Sequence, residues 1–372
     1  QQGKISLDDK VKKYLPWFNA KNKNTSLSNI TIRQLLSHGS GIFRDGNTAH
    51  WVTGVFPDVG GLRESVSENT IIFENYLKFK YSNFGFALLG EIIKNVSGIN
   101  YDQYITNNIL LKLGMKNTHP DLTNNSINKL AKGYSRIIPG KDRRTFKHVK
   151  TNAYASATGF VSNVDDLAKF LSALSFTEKA SIIDRESKKE MMMEHWKADD
   201  DEHYGLGLAI WNIMGRKIIE HGGGFAGFIT HVSLDTENNV GVIVLTNTND
   251  SPAKQINYGI LEMIYNLIDN KSKYFSGKEL INQDKYRGLY RNLWGDEIIV
   301  GVCSNLISFN PKTNSPVKSE TLLRPFGKDK FIIESKFNYD SIGEFAKFTF
   351  KYGDKKANKL IWGGTPLERV TI

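Results

Sequence analysis

Up to about residue 195 the apolar positions repeat with the period of a helix; after residue 204 they repeat with the period of a strand. Leu7-Asp8-Asp9 opens a short helix, Lys10 to Tyr14, that Pro16 stops, and Thr31 caps a second one whose Ile32, Leu35 and Leu36 point inward. Phe84, Ala87, Leu88, Ile92 and Val96 recur every three or four residues, predicting a helix from Phe84 to Val96 that ends at Gly98. A further helix is predicted from Tyr101 to Lys112, ending at Gly114. Ser162-Asn163-Val164-Asp165 starts another, carrying Leu167, Phe170, Leu171 and Leu174, and a helical stretch lies around Ser187 to Glu194. Residues 44–78 have little periodicity and read as a long irregular crossing or short helices, and residues 117–150 as polar and loop-rich.

The strand pattern begins with Tyr204 to Trp211, Arg216 to Glu220, Phe225 to Leu234 and Val240 to Thr246, parted by turn residues at Met214-Gly215 and Glu237-Asn238-Asn239. This predicts an antiparallel meander, with an amphipathic helix from Ala253 to Ile268 over one face. After a polar linker, Asp269-Asn270-Lys271-Ser272-Lys273, short strands recur at Tyr286–Leu293, Glu297–Val302, Leu306–Phe309, Thr321–Arg324, Phe331–Glu334, Phe345–Tyr352 and Leu360–Trp362, with a hairpin turn at Gly353-Asp354-Lys355-Lys356. The expected fold class is α+β: an antiparallel sheet flanked by helices over residues 1–269, then an all-β barrel over residues 270–372.

Composition narrows the function classes. A chain of 372 residues with 40% hydrophobic and 24% charged positions is that of a globular protein with two domains. It has no run of eighteen apolar residues, so no membrane-spanning helix is expected. One cysteine, Cys303, excludes an internal disulfide and a multi-cysteine metal site. The net charge of +10 favours anionic surfaces, but Lys129, Lys132, Lys141, Arg143, Arg144, Lys147 and Lys150 read as a solvated loop and not as a nucleic-acid footprint.

Candidate chemistry gathers at two places. Tyr81-Ser82-Asn83 stands in front of the strongest apolar period; Tyr81 and Asn83 project the same way from an extended segment and could move a proton and hold a substrate amide. Taken alone, the triplet reads first as a plain helix cap, Ser82 or Asn83, for the helix that follows. Glu220-His221-Gly222-Gly223-Gly224-Phe225-Ala226-Gly227 lies between two expected strands, where glycine lets a substrate approach a strand edge. Gly222, Gly224 and Gly227 fit G-x-G-x-x-G, but strand follows where a dinucleotide site needs helix. His38-Gly39-Ser40-Gly41 sets a His and a Ser two apart, which invites a nucleophile reading, but it reads first as a turn whose side chains bond local backbone.

In this order Tyr81-Ser82-Asn83 and His221-Gly222-Gly223 resemble the second and third active-site motifs of the serine β-lactamase and penicillin-binding-protein superfamily, in the class C-like branch that also holds D-aminopeptidases, DD-carboxypeptidases and esterases. Lys4-Ile5-Ser6-Leu7-Asp8-Asp9, the stretch Thr31 to Gly41, Leu113-Gly114-Met115, Ala157-Thr158-Gly159-Phe160 and Asp166-Leu167-Ala168 are similar too.

The resemblance implies an acyl-enzyme hydrolase without cofactor or metal, with Tyr81 and His221 catalytic and Asn83, Gly223 and Gly224 binding the substrate. Tyr81 moves a proton between nucleophile and leaving group, His221 stands in for a lysine, and the Gly224 N–H joins the oxyanion hole. The substrate is a small molecule or peptide, cell-wall derived among the options, and the setting is secreted or the cell envelope. The family's Ser-x-x-Lys nucleophile motif is expected upstream of residue 1, consistent with Gly3 reading as the end of a helix. The internal matches Ser126/Lys129, Ser251/Lys254 and Ser315/Lys318 all follow the second motif and read as accidental. Tyr286-Arg287-Gly288-Leu289-Tyr290 resembles the lipocalin-like barrel that some members carry. A chain without the nucleophile fits a second reading, a non-catalytic binding protein for peptide, cell-wall fragment or lipid.

Overall fold

Helix ends and the sheet of the first unit are both set by short polar side chains and glycines, which place the buried faces. The computed structural model describes residues 1–19, 27–124, 126–177, 181–198, 202–269, 282–302, 305–310, 319–335 and 341–370, in two units, Gln1–Asn257 and Tyr258–Ile372. Cys303, the Ser315/Lys318 match and most of the expected linker after Asp269 lie outside the described residues. No helix among the described residues is long and apolar enough to cross a membrane.

The first unit opens with α1 (Val11–Tyr14) and α2 (Ile32–Leu36). Thr31 caps α2 reciprocally with Gln34: the Gln34 N–H donates to Thr31 Oγ1 at 3.3 Å and the Thr31 N–H donates to Gln34 Oε1 at 2.8 Å. The stretch without periodicity folds as short helices, α3 (His50–Thr53) and α4 (Val59–Glu64). The strongest period becomes α5 (Asn83–Ser97), ended by Gly98 in the left-handed conformation with φ 77°. Its Phe84, Ala87, Leu88 and Ile92 are buried with Val11, Leu15, Phe18, Leu35, Ile42 and Tyr154.

The helix expected from Tyr101 to Lys112 forms as α6 (Tyr101–Ile105) and α7 (Leu111–Leu113) joined by a wider π-type turn, Thr106–Leu110, and Gly114 ends it. Then come α8 (Val164–Leu174), capped by the Asn163 side chain, and α9 (Arg185–Met191), which begins earlier than expected because Asp184 caps it.

The sheet has six antiparallel strands in chain order: β1 (Trp196–Lys197), β2 (His203–Tyr204), β3 (Ala209–Ile213), β4 (Arg216–Phe225), β5 (Phe228–Asp235) and β6 (Val240–Thr246). Two expectations change. The single strand from Tyr204 to Trp211 is a hairpin, because Gly205 N–H bonds Leu208 O at 2.8 Å and Gly207 turns with φ 76°. The glycine run after Glu220 is strand, not a loop between strands: β4 stays paired with β5 from Ile218↔Asp235 to Phe225↔Phe228. A glycine carries no side chain to fix strand propensity, so cross-strand pairing decides. α10 (Ala253–Asp269) begins against this sheet, its Asn257 donating to Val242 O at 2.9 Å. From Tyr258 onward its residues belong to the second unit.

The second unit is a closed antiparallel barrel of β7 (Gly288–Arg291), β8 (Asp296–Val302), β9 (Asn305–Phe309), β10 (Thr321–Gly327), β11 (Lys330–Ser335), β12 (Phe345–Thr349), β13 (Lys359–Trp362) and β14 (Thr365–Arg369). Tyr286, Tyr290, Leu323, Phe331, Phe348 and Leu360 fill its core, as expected of a barrel this size. Met263 and Leu267 of α10 pack on the Ile307 and Phe309 cluster. β14 was not foreseen, since Pro366 and the preceding Gly363-Gly364 hide its strand pattern. It closes the barrel by pairing Arg369 with Tyr290.

The glycine of the His38 turn gives a sharp test of this packing. A Cβ on Gly41, at φ 70°, would lie 2.1 Å from Phe73 O, whereas one on Gly98, at φ 77°, would meet nothing within 4 Å. Gly98→Ala is therefore expected to cost about 1 kcal/mol of backbone strain alone, and Gly41→Ala at least about 2 kcal/mol more. Urea unfolding of the two variants measures the difference; equal losses would mean that the 38–41 turn is not packed as described.

Candidate active site

The Tyr81-Ser82-Asn83 segment is laced to residues 38–45 along its whole length. Ser82 is the N-cap of α5: its Oγ accepts the Gly85 N–H at 2.9 Å and donates to Phe43 O at 2.8 Å. The Phe84 N–H donates to Arg44 O at 2.9 Å, and Asn83 Nδ2 donates to Asp45 Oδ1 at 2.7 Å. Phe43, Arg44 and Asp45 thus run beside Ser82, Phe84 and Asn83; Arg44 O and Ser82 Oγ take two of the N–H groups that a helix start leaves over. The cap reading of the triplet holds: Ser82 caps α5, with Tyr81 and Asn83 on either side of it.

Asn83 is buried, and with Nδ2 given to Asp45 its Oδ1 has no partner among the described residues. Tyr81 is half-buried; burial raises its pKa, with the Arg44 guanidinium, 5.7 Å from the ring centroid, pulling the other way. The phenol therefore keeps its proton at neutral pH.

The aromatic side chains of the first unit carry the contact across to β4. The His38 ring lies 4.3 Å from that of Tyr81 and 4.9 Å from that of Tyr204, whose Oη is 3.3 Å from His221 Nε2. His221 Nδ1 lies 2.7 Å from Gly222 O, which can only accept, so Nδ1 carries the proton and Nε2 accepts from Tyr204. Burial is the main force lowering the pKa of His221, against a smaller upward pull from Gly222 O and Glu220, so the ring is neutral.

β3 pairs with β4 only from Arg216 to Glu220. From His221 through Gly222, Gly223, Gly224 and Phe225 the ladder partners are on the β5 side alone, so backbone N–H and C=O groups on the other edge are available to a ligand. Phe225, at the end of this edge, stacks on Phe56 at 5.9 Å and meets Trp51 edge-on at the same distance. The period of two sends the neighbouring Glu220 to the opposite face, where its buried carboxylate lies 3.4 Å from both His231 Nε2 and Lys254 Nζ.

The structure thus brings Tyr81, Asn83, His221 and the Gly223-Gly224 edge into one unit, with the first three joined through His38, Tyr204 and Asp45. Sequence reading gave Tyr204, Arg44 and Asp45 no role and took His38 for a turn residue; no local spacing marks the first three. Neither internal Ser-x-x-Lys match that can be seen joins them. Ser126 is buried in a turn, bonded to Thr123, and Lys254 faces Glu220 and the Trp211 ring.

A family model described as Beta-lactamase matches residues 1–262. The chain belongs to this family. Protein flp of Staphylococcus aureus (strain N315) is 28% identical over 296 residues, 77% of this chain and 55% of flp, so the chain spans about half the length of the curated relatives it matches. An octameric penicillin-binding protein homologue from Pyrococcus abyssi superposes with a TM-score of 0.61 at 24% identity, covering 98% of this chain and 83% of that one. A Beta-lactamase/D-alanine Carboxypeptidase from Yersinia pestis does so with 0.57 at 23%, covering 72% and 78%. At these identities the structures establish the beta-lactamase fold, a fold of serine hydrolases.

Two histidines in this beta-lactamase-family site make a prediction about pH. Burial, helped by the nearby His221, lowers the pKa of His38 to about 3, against about 6.5 in an unfolded chain. Below pH 6.5 the unfolded state takes up a proton that the folded state refuses. Stability is therefore complete above 6.5 and falls as the pH drops toward 3, by about 1 kcal/mol per unit for one such group. Urea midpoints are expected to fall from pH 7 to pH 5, and His38→Asn to flatten that slope; an unchanged slope would show that His38 titrates normally.

Proposed function

We propose that this chain is part of a serine hydrolase that acts through an acyl-enzyme on an amide or ester: a peptide, a β-lactam or a carboxyl ester. The observation that carries the reading is the ring chain from Tyr81 through His38 and Tyr204 to His221, where the edge of β4 becomes one-sided. An acyl donor laid along that edge would bond backbone groups of β4, with Gly223 leaving room and the Gly224 N–H aimed at the developing oxyanion; one such donor is worth about 2.7–4 kcal/mol. Asn83 Oδ1, left without a partner, would accept a substrate N–H. Tyr81, a phenol held beside Arg44, would pass the proton between nucleophile and leaving group. His221 enters neutral, so it would orient Tyr204 and the substrate more than supply charge.

The acylated serine belongs, in this reading, to a Ser-x-x-Lys segment preceding residue 1. The setting is secreted or the cell envelope, and the substrate a small molecule or peptide, with cell-wall fragments fitting the names of the penicillin-binding neighbours. The second unit is proposed as a lipocalin-like module with a filled core.

Two measurements on the full-length protein test this. Incubation with a fluorescent penicillin or a fluorophosphonate is expected to leave a covalent adduct on that upstream serine, seen by mass spectrometry; no adduct with any probe would leave a non-catalytic binding protein. Tyr81→Phe is expected to lower kcat by about 10²–10⁴ with little change in KM, and unchanged turnover would remove Tyr81 from the mechanism.

A further inference from the structure

We propose that His38 is the positioning residue that fixes Tyr81, holding the peptide on both sides of it and joining it to the β4 side of the site. The proposal rests on the reading of Tyr81 as the proton-transfer group. Three observations carry it. The Lys80 N–H donates to His38 O at 2.9 Å, and the Ser82 N–H donates to His38 Nδ1 at 3.2 Å, so one residue binds the backbone immediately before and immediately after Tyr81. The same imidazole is packed on every side by rings: Tyr81 at 4.3 Å, Tyr204 at 4.9 Å, Phe86 at 5.2 Å and Phe79 at 5.6 Å. His38 is also held at φ 57°, a conformation that a side chain of this size rarely adopts, between the end of α2 and the Gly39-Ser40-Gly41 turn.

The chemistry requires a neutral ring. Accepting from Ser82 uses the Nδ1 lone pair, so the proton sits on Nε2, and a protonated imidazolium could not accept. The groups facing it are the phenols of Tyr81 and Tyr204 and the neutral His221, none of which brings a negative charge that would draw a second proton onto His38. A turn histidine that only satisfied local backbone would not need its side chain to reach across to the segment that carries Tyr81. Here the turn exists to deliver that acceptor.

Asparagine is the informative replacement. Its Oδ1 stands at the same remove from Cβ as the histidine Nδ1, and asparagine tolerates the left-handed backbone. In the full-length protein, His38→Ala is expected to lower kcat for p-nitrophenyl butyrate at least tenfold with KM within about twofold, and His38→Asn to recover most of that loss. Amide hydrogen exchange, read without any substrate, is expected to show the Ser82 N–H at least tenfold faster in His38→Ala, with the α5 interior unchanged and protection restored in His38→Asn. Faster exchange with unchanged kcat in His38→Ala would overturn the positioning role while leaving the hydrogen bond. Unchanged exchange at Ser82 would overturn the proposal outright. If no ester is turned over even by the wild type, the hydrolase reading fails on its own, and the exchange experiment still decides whether His38 holds this segment.

Discussion

The buried cap at Ser82 is the constraint on which the site depends. Its N–H, its Oγ donor and its Oγ acceptor function are each committed, to His38, Phe43 and Gly85 respectively. An N-cap contributes about 1 kcal/mol, whereas burying Phe84, Leu88 and Ile92 contributes roughly 1.5–3 kcal/mol apiece. The apolar face therefore decides that α5 exists, and the cap decides where it starts. That distinction matters for chemistry: the cap leaves Tyr81 outside the helix beside Arg44 and makes Asn83 its first residue, bonded to Asp45.

Most of this could be read from the chain because the helix rests on a strong period and the cap on a residue type with a known preference. α5, α8 and β6 lie within a residue or two of expectation for that reason, and Gly98 and Gly114 stop helices as glycines do. The glycine run of β4 could not be read in the same way. Gly222, Gly223 and Gly224 have no side chains to alternate, so their strand is specified by β5, through His231, Thr230 and Ile229. Tyr204 was invisible for a related reason: it reaches His221 only because Gly205 to Leu208 fold β2 back on β3, a turn that an apolar run conceals.

The resemblance puts His221 in the place of the family's lysine, a residue that would bring a permanent charge. Burial keeps the imidazole neutral, and Gly222 O fixes its tautomer, so what it offers is a lone pair at Nε2. A permanent cation beside Tyr81 is Arg44, ion-paired to Asp45 at 3.3 Å, and Asp45 in turn holds Asn83. An Arg-Asp-Asn chain fixes the amide and leaves the guanidinium over the phenol, the arrangement that favours a developing phenolate without making one at rest.

Strand length is what makes the edge of β4 usable. β3 ends its pairing at Glu220, and one residue later the side chain period has turned His221 toward Tyr204 while Glu220 remains with His231 and Lys254 on the other face. The same residue step therefore ends the ladder on one side and changes the face. Had β3 continued two residues further, the outward backbone of Gly222 would be spent on the sheet, as that of Glu220 already is. A short β3, a glycine edge and an aromatic stop at Phe225 together leave the outer edge of β4 unpaired over the length that the proposed acyl donor needs.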